Sequence, residues 1–398
     1  MFIHPLSRLI LPGVLIVCLA VNASAQTAVA VSLAGVKTQA DLDIVIAATS
    51  DAAKKSALQA NAAAILAAAA KKPHVDAVIA SLEKAAGSYE KMNATPDALK
   101  QAFGAELPLF DTLKAVNLGS TALGIKGKRE VDPFDHAFYE HVGQITDLES
   151  LTILHTTAQN DDLVPVANLK NLTNLNITNQ SKLNDEGLAH LAGLKNLERF
   201  SFVGTSMTGH PFKDFNGWTK LTRCSFRGSK IDDEGLKQIC GHFPNLESLV
   251  LAHANFTDAA AVHLATLKNL KNFEIGTHEA TTECLRNIVQ LPIEYLQLGE
   301  QLGGPNGIAI VKNMKTLLKL TITSAKDLTD ADVTQIAEMT QLEHLELGSW
   351  DLTDERLPVL KRLTFLKSAR LVRSGNPYTP ETRAKVQAAL PQVKIAFD

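Results

Sequence analysis

From about Leu113 to its end the chain repeats itself roughly every 24 residues, and this period restricts its fold more than any other feature. The fragments are LTNLNI at Leu172, LERFSF at Leu197, LTRCSF at Leu221, LESLVL at Leu246 and LKNFEI at Leu270. They continue as IEYLQL at Ile293, LLKLTI at Leu317, LEHLEL at Leu342 and LKSARL at Leu366. Successive starts differ by 25, 24, 25, 24, 23, 24, 25 and 24 residues. A fixed period in this range specifies stacked units, a solenoid, and not a closed globule. Solenoids present extended surfaces and seldom carry chemistry of their own.

Each unit follows one grammar. An L-x-x-L-x-L segment leads into a short turn, as in Gly204-Thr205-Ser206 and Gly228-Ser229. A capping residue and a helix follow, as in KLNDEGLAHLAGL, KIDDEGLKQIC, NFTDAAAVHLATL, DLTDADVTQIAEM and DLTDERLPVLKRL. Asn184, Asp232, Thr257, Thr329 and Thr353 are suitable N-caps, and the acids just behind them complement the positive end of the helix dipole. Leu188, Leu191 and Leu194 have the spacing of one buried helix face. In L-x-x-L-x-L the leucines alternate along a strand and point inward, and stacking the units lays the strands side by side about 4.8 Å apart. A helix is broader than the strand it backs, so the stack bends with the sheet on its inner wall.

These fragments resemble the leucine-rich repeat family. The likeness is greatest to helix-backed repeats carrying L-T-D-E-G-L-x-x-L, as in ribonuclease-inhibitor-like and F-box-associated repeats and in many exported bacterial proteins. It covers roughly Leu113 to Asp398, in about ten recurrences. The sequence departs from extracellular animal and plant members: cysteine-rich end caps and a regular asparagine in the turn after the strand are missing, and there is no F-box. The resemblance implies an α/β solenoid with a curved parallel sheet on the concave side and helices on the convex side. It also implies protein or ligand binding, and it transfers no catalytic residue and no cofactor.

Two units are irregular. Leu148 follows Leu113 by 35 residues, with GIKGKREVDPFDHAFYEHVGQ between them, which reads as a solvated insertion. Between Gly204 and Leu221 the helix signal gives way to GHPFKDFNGW, where Phe212, Phe215 and Trp218 are expected to fill the core. The tail PYTPETRAKVQAALPQVKIAF reads as a final helix and closing strand, a C-terminal cap.

Ahead of the repeats the chain divides in two. Residues 1–25 read as a signal peptide: Arg8, an apolar run from Leu9 to Val21, and Ala23-Ser24-Ala25 as the cleavage site. Val17 before Cys18 disfavours a lipid anchor. Residues 26–110 are alanine-rich, and the spacing predicts a small all-α region. Thr38 caps its first helix, Ser50 its second, Pro73 stands near the start of a third, and Thr95-Pro96-Asp97 opens a fourth. Such a region would cover the first apolar layer of the solenoid, which stands as residues 111–398. The mature chain has no second long apolar stretch, so no stable membrane insertion is expected after cleavage. The chain is therefore expected to be exported, periplasmic or secreted, from a bacterium.

A formal net charge of −3 gives no global attraction to nucleic acid. Gly119 to Gly124 begins like a phosphate loop, but Ile125 stands where a lysine must reach the phosphates. His136 and His141 with Asp132, Asp135 and Glu140 are the best metal candidates, although a spacing of five does not align two ligands on a helix. Cys224, in a leucine slot, is expected to be buried and unpaired. No cofactor, metal or catalytic set emerges.

The residues between the leucines face the concave side. These are Asn174, Asn176, Arg199, Ser201, Arg223, Ser225, Arg227, Glu274, Tyr295, Gln297, Lys319, His344, Glu346 and Arg370. Arg199, Arg223 and Arg227 are expected to cluster as a hot spot for an acidic protein surface. The alternative is a cell-envelope glycan. Sugar sites want several aromatic platforms, and this face offers Tyr295 and little more.

Overall fold

The computed structural model describes residues 32–85, 87–119, 134–154, 156–373 and 378–397. The expected signal peptide, Asp132 and all but Gly119 of the phosphate-loop-like run lie outside the described residues.

The chain is an α/β repeat solenoid. Thirteen described strands form one sheet in chain order. They are β1 (Ser88–Asn93), β2 (Asp111–Asn117), β3 (Ser150–Leu154), β4 (Asn174–Thr178), β5 (Arg199–Val203), β6 (Arg223–Ser225) and β7 (Ser248–Ala254). The series continues with β8 (Asn272–Thr277), β9 (Tyr295–Leu298), β10 (Lys319–Ile322), β11 (His344–Gly348), β12 (Ser368–Val372) and β13 (Lys394–Phe397). β1 is antiparallel to β2, and all later pairs are parallel.

The leucines explain the stacking. In β4, Leu175 and Ile177 are fully buried while Asn174, Asn176 and Thr178 are half-buried, and the pattern recurs from strand to strand. Each inward leucine contributes about 1.5–3 kcal/mol by leaving water. One core runs from Leu113 to Val393. Asn184, Asp232, Thr257 and Thr329 cap their helices through their side chains, and Leu188, Leu191 and Leu194 are fully buried. In the unit after β5 a 3-10 turn, His210–Asp214, replaces the helix. Phe212, Phe215 and Trp218 fill the space with Phe200, Phe226 and Phe243, and the Trp218 indole donates to the Ala192 carbonyl at 2.9 Å. The tail forms a helix, Pro380–Ala389, followed by β13.

The acids behind the caps do more than meet the helix dipole. Asp185 accepts from the Thr208 amide, Asp233 from the Thr257 amide and hydroxyl, and Asp258 from the Thr281 amide and hydroxyl. Each bond ties one unit to the next. A second ladder runs along the turns that precede the strands. Asn171, Asn196, Asn245 and Asn269 donate to the carbonyls of Thr146, Lys170, Thr219 and Pro244, at 3.0, 2.8, 2.9 and 3.4 Å. The recurring asparagine therefore exists, placed before the strand and not after it.

The first part of the chain departs from the all-α expectation. It holds α1 (Gln39–Ala48), α2 (Ala52–Ala60), α3 (Ala62–Lys84) and α4 (Asp97–Phe103), but also β1. Thr38 forms a capping box with Asp41, as its sequence predicts. Asp51, not Ser50, caps α2, accepting from the Lys54 amide at 2.9 Å. Pro73 lies inside α3, whose alanine-rich flanks carry the helix through it. The Thr95 hydroxyl does not cap α4; it accepts from the Leu107 amide at 2.9 Å.

The insertion is not a solvated loop where it is described. It forms α5 (His136–Gly143), with Phe134, Phe138, Tyr139 and Val142 buried in the main core. α3 bridges two cores. Ile65 belongs to a small cluster with Leu33, Val36, Leu42, Leu58, Leu99 and Phe110, while Val75, Val78 and Leu82 belong to the core of the repeats.

Candidate binding surface

Every strand of the stack turns one face to the helices and leaves the other open. Register fixes two rows of side chains on the open face, which is the wall expected to be concave. The first row runs Asn174, Arg199, Arg223, Ser248, Asn272, Tyr295, Lys319, His344, Ser368. The second runs Asn176, Ser201, Ser225, Val250, Glu274, Gln297, Thr321, Glu346, Arg370. All the residues read from the sequence lie in these rows except Arg227, which lies beyond the end of β6. The same spacing rule places Ser248, Val250, Asn272, Thr321 and Ser368 there, which the sequence reading passed over.

The expected arginine cluster is only partly formed. Arg199 and Arg223 are direct register partners, and both are exposed. Arg227 does not join them: its guanidinium is ion-paired with Glu274, two units farther on. Glu346 is likewise engaged, by Arg370 at 3.0 Å. Arg199, Arg223 and Lys319 make no ion pair among the described residues. Asn174 donates to the Ser150 hydroxyl at 2.9 Å, the Thr178 hydroxyl donates to Asn176 at 2.8 Å, and His344 Nδ1 meets the Ser368 hydroxyl at 2.8 Å.

Two shallow recesses lie on this face. One of about 270 Å³ is lined by Val250, Glu274, Tyr295, Gln297, Lys319 and Thr321. Tyr295 is 41% exposed, one of only four large apolar side chains so exposed among the described residues. The other, about 430 Å³, is lined by Lys319, His344, Glu346, Arg370 and Lys394. Lys319 belongs to both, so the recesses are continuous. Aromatic, amide and charged groups on an open floor suit contact with another surface.

The histidines of α5 point elsewhere. His136 Nδ1 lies 2.9 Å from Asp162, whose hydrogen bond raises the imidazole above its ordinary range. His141 Nδ1 lies 2.8 Å from Nδ1 of His74 on α3. The two are not joined in one site, and no group of three metal-ligating side chains occurs among the described residues. Cys224, Cys240 and Cys284 are buried and unpaired; burial pushes Cys224 well up and Cys240 to about 12. No described helix is long and apolar enough to cross a membrane.

No family model matches the chain, and no curated protein matches it. Among solved structures the chain is similar to an internalin from Listeria monocytogenes. The identity is 19% and the TM-score 0.40, over 71% of this chain and 86% of that one. A likeness this slight says nothing about partners.

Proposed function

We propose that this chain is an exported leucine-rich repeat protein that binds another protein through the open face of its sheet. The observation that carries this reading is the floor itself. Two rows of mostly polar side chains run across β4–β12 with Tyr295 near their middle, and none of them belongs to the apolar core. Aromatic and arginine side chains are the residue types enriched at interface hot spots. A glycan would require further aromatic platforms, and Tyr295 is the one aromatic residue in the two rows. Export rests on residues 1–25 of the sequence, and no catalytic step is assigned.

The test is affinity capture from the protein's own cell envelope with three baits. These are the wild type, Tyr295→Ala/Gln297→Ala on the open face, and Val164→Ser/Val262→Ser on the helix side. A partner held by the wild type and the helix-side variant but lost by the open-face variant is expected. A partner lost only by the helix-side variant would refute the proposal.

A further inference from the structure

Arg199 and Arg223 stand side by side on neighbouring strands, and no ion pair compensates either among the described residues. Strands are about 4.8 Å apart, and like charges facing each other across a strand pair are destabilising. The chain meets this problem elsewhere on the same face by supplying a carboxylate: Glu274 to Arg227 and Glu346 to Arg370. Those are the only two acids in the two rows, and both are occupied. The acids nearest in sequence, Glu198 and Glu247, line a separate edge cleft with Lys220, Thr222 and Asn245, and pair with neither arginine. Hydroxyl and amide groups flank the pair in register: Ser201 and Ser225 in the second row, Asn174 in the first. Two planar donors beside neutral hydrogen-bonding groups match a carboxylate, which accepts a bidentate arginine contact.

We propose that Arg199 and Arg223 form an anion subsite that takes side-chain carboxylates from an acidic peptide segment of the partner. The proposal rests on the protein-binding reading above and names the chemistry of the partner at one end of the face. The segment's acids lie over β5 and β6, and its continuation runs toward the Tyr295 recess across β7 and β8. There Val250 and Tyr295 offer apolar contact, and the Arg227–Glu274 pair leaves no second anion site between.

The experiment is fluorescence anisotropy of the mature protein with a labelled oligoglutamate peptide at low salt, with the oligoglutamine counterpart as the uncharged probe. Binding of oligoglutamate is expected, weakening as salt rises, because screening shortens the reach of exposed charges. Arg199→Gln/Arg223→Gln is expected to lose at least about tenfold in affinity, the loss of one hot-spot contact of about 1.4 kcal/mol. Lys213→Gln, an exposed cation on the helix side, is expected to bind as the wild type does. An unchanged melting temperature in the double variant separates lost contacts from misfolding. Equal binding by the double variant, equal loss in Lys213→Gln, or binding of inorganic phosphate without oligoglutamate would overturn the proposal. If oligoglutamate fails while the Tyr295→Ala/Gln297→Ala bait still loses its partner, only the acidic subsite falls. If oligoglutamate binds at the arginines but no partner depends on the open face, the protein-binding reading falls instead.

Discussion

The helical unit at the start of the chain and the repeat stack behind it are held together by different means. The stack buries inward side chains from strand after strand in one continuous core, and hydrogen bonds such as Asp233 to Thr257 and Asn245 to Thr219 stitch neighbours. The helical unit has a cluster of seven buried residues, set among alanines that remove little area from water. It reaches the stack chiefly through α3, by Val75, Val78 and Leu82, and through the antiparallel pairing of β1 with β2. The difference implies unequal dependence. The stack supplies its own stability layer by layer, and we read the helical unit as a cover for its first layer.

The sharpest way to break that comparison is to remove the cover. Deleting residues 26–104 uncovers Leu113, Val116 and Leu118 and leaves β2 as an unpaired edge. The truncated protein is expected to melt several degrees lower and to aggregate, read by calorimetry and light scattering. A soluble truncation of unchanged melting temperature would make the helical unit a separate module.

A second prediction probes the stack where its grammar fails. Phe212→Ala empties the centre of the aromatic cluster that replaces a helix between β5 and β6. A loss of about 3–5 kcal/mol is expected in denaturant unfolding. Leu58→Ala in the small helical core, where alanine neighbours can close in, is expected to lose less. Equal losses would show that the two cores are alike in tightness.

A smaller effect concerns the seam between the regions. His74 on α3 and His141 on α5 meet through their Nδ1 atoms, with the Lys71–Asp147 ion pair from α3 to the turn beyond α5 and the Lys72–Asp76 pair along α3. Burial first, and the neighbouring His141 second, hold His74 below its ordinary range. The unfolded chain therefore binds a proton there more readily than the folded one. The stabilisation is fully present above about pH 6.5 and is lost as pH falls toward the depressed value. His136, raised by Asp162, acts in the opposite sense. Melting curves of the wild type and His74→Gln between pH 7.5 and 5 separate the two. The wild type is expected to lose more on acidification than the variant; identical pH profiles would remove the seam histidine from the account.

The two regions were also unequally legible in the sequence. The leucine spacing located the strands, their order and the side facing outward, because a 24-residue period repeats the same local evidence many times. The open-face residues followed from alternation alone. What the period could not reveal depends on contacts between distant residues. Arg227 finds Glu274 across two units, and SYEKMN becomes β1 because β2 offers it an edge. Pro73 by itself signals a helix start, but Ala67 to Ala70 before it favour continuing the helix. The asparagines at 171, 196, 245 and 269 were in plain view, but their meaning lies in carbonyls of the preceding unit.

The central claim is that a partner sits on the open face, and covalent footprinting of the captured complex tests it most directly. Tyrosine, arginine and histidine modification would be compared between free and bound protein, at Tyr295, Arg199 and Arg223 on the open face and at His263 and Arg286 on the helix side as references. Strong protection of the first three with unchanged references is the predicted result. Protection of His263 and Arg286, with Tyr295, Arg199 and Arg223 as reactive as in the free protein, would contradict it.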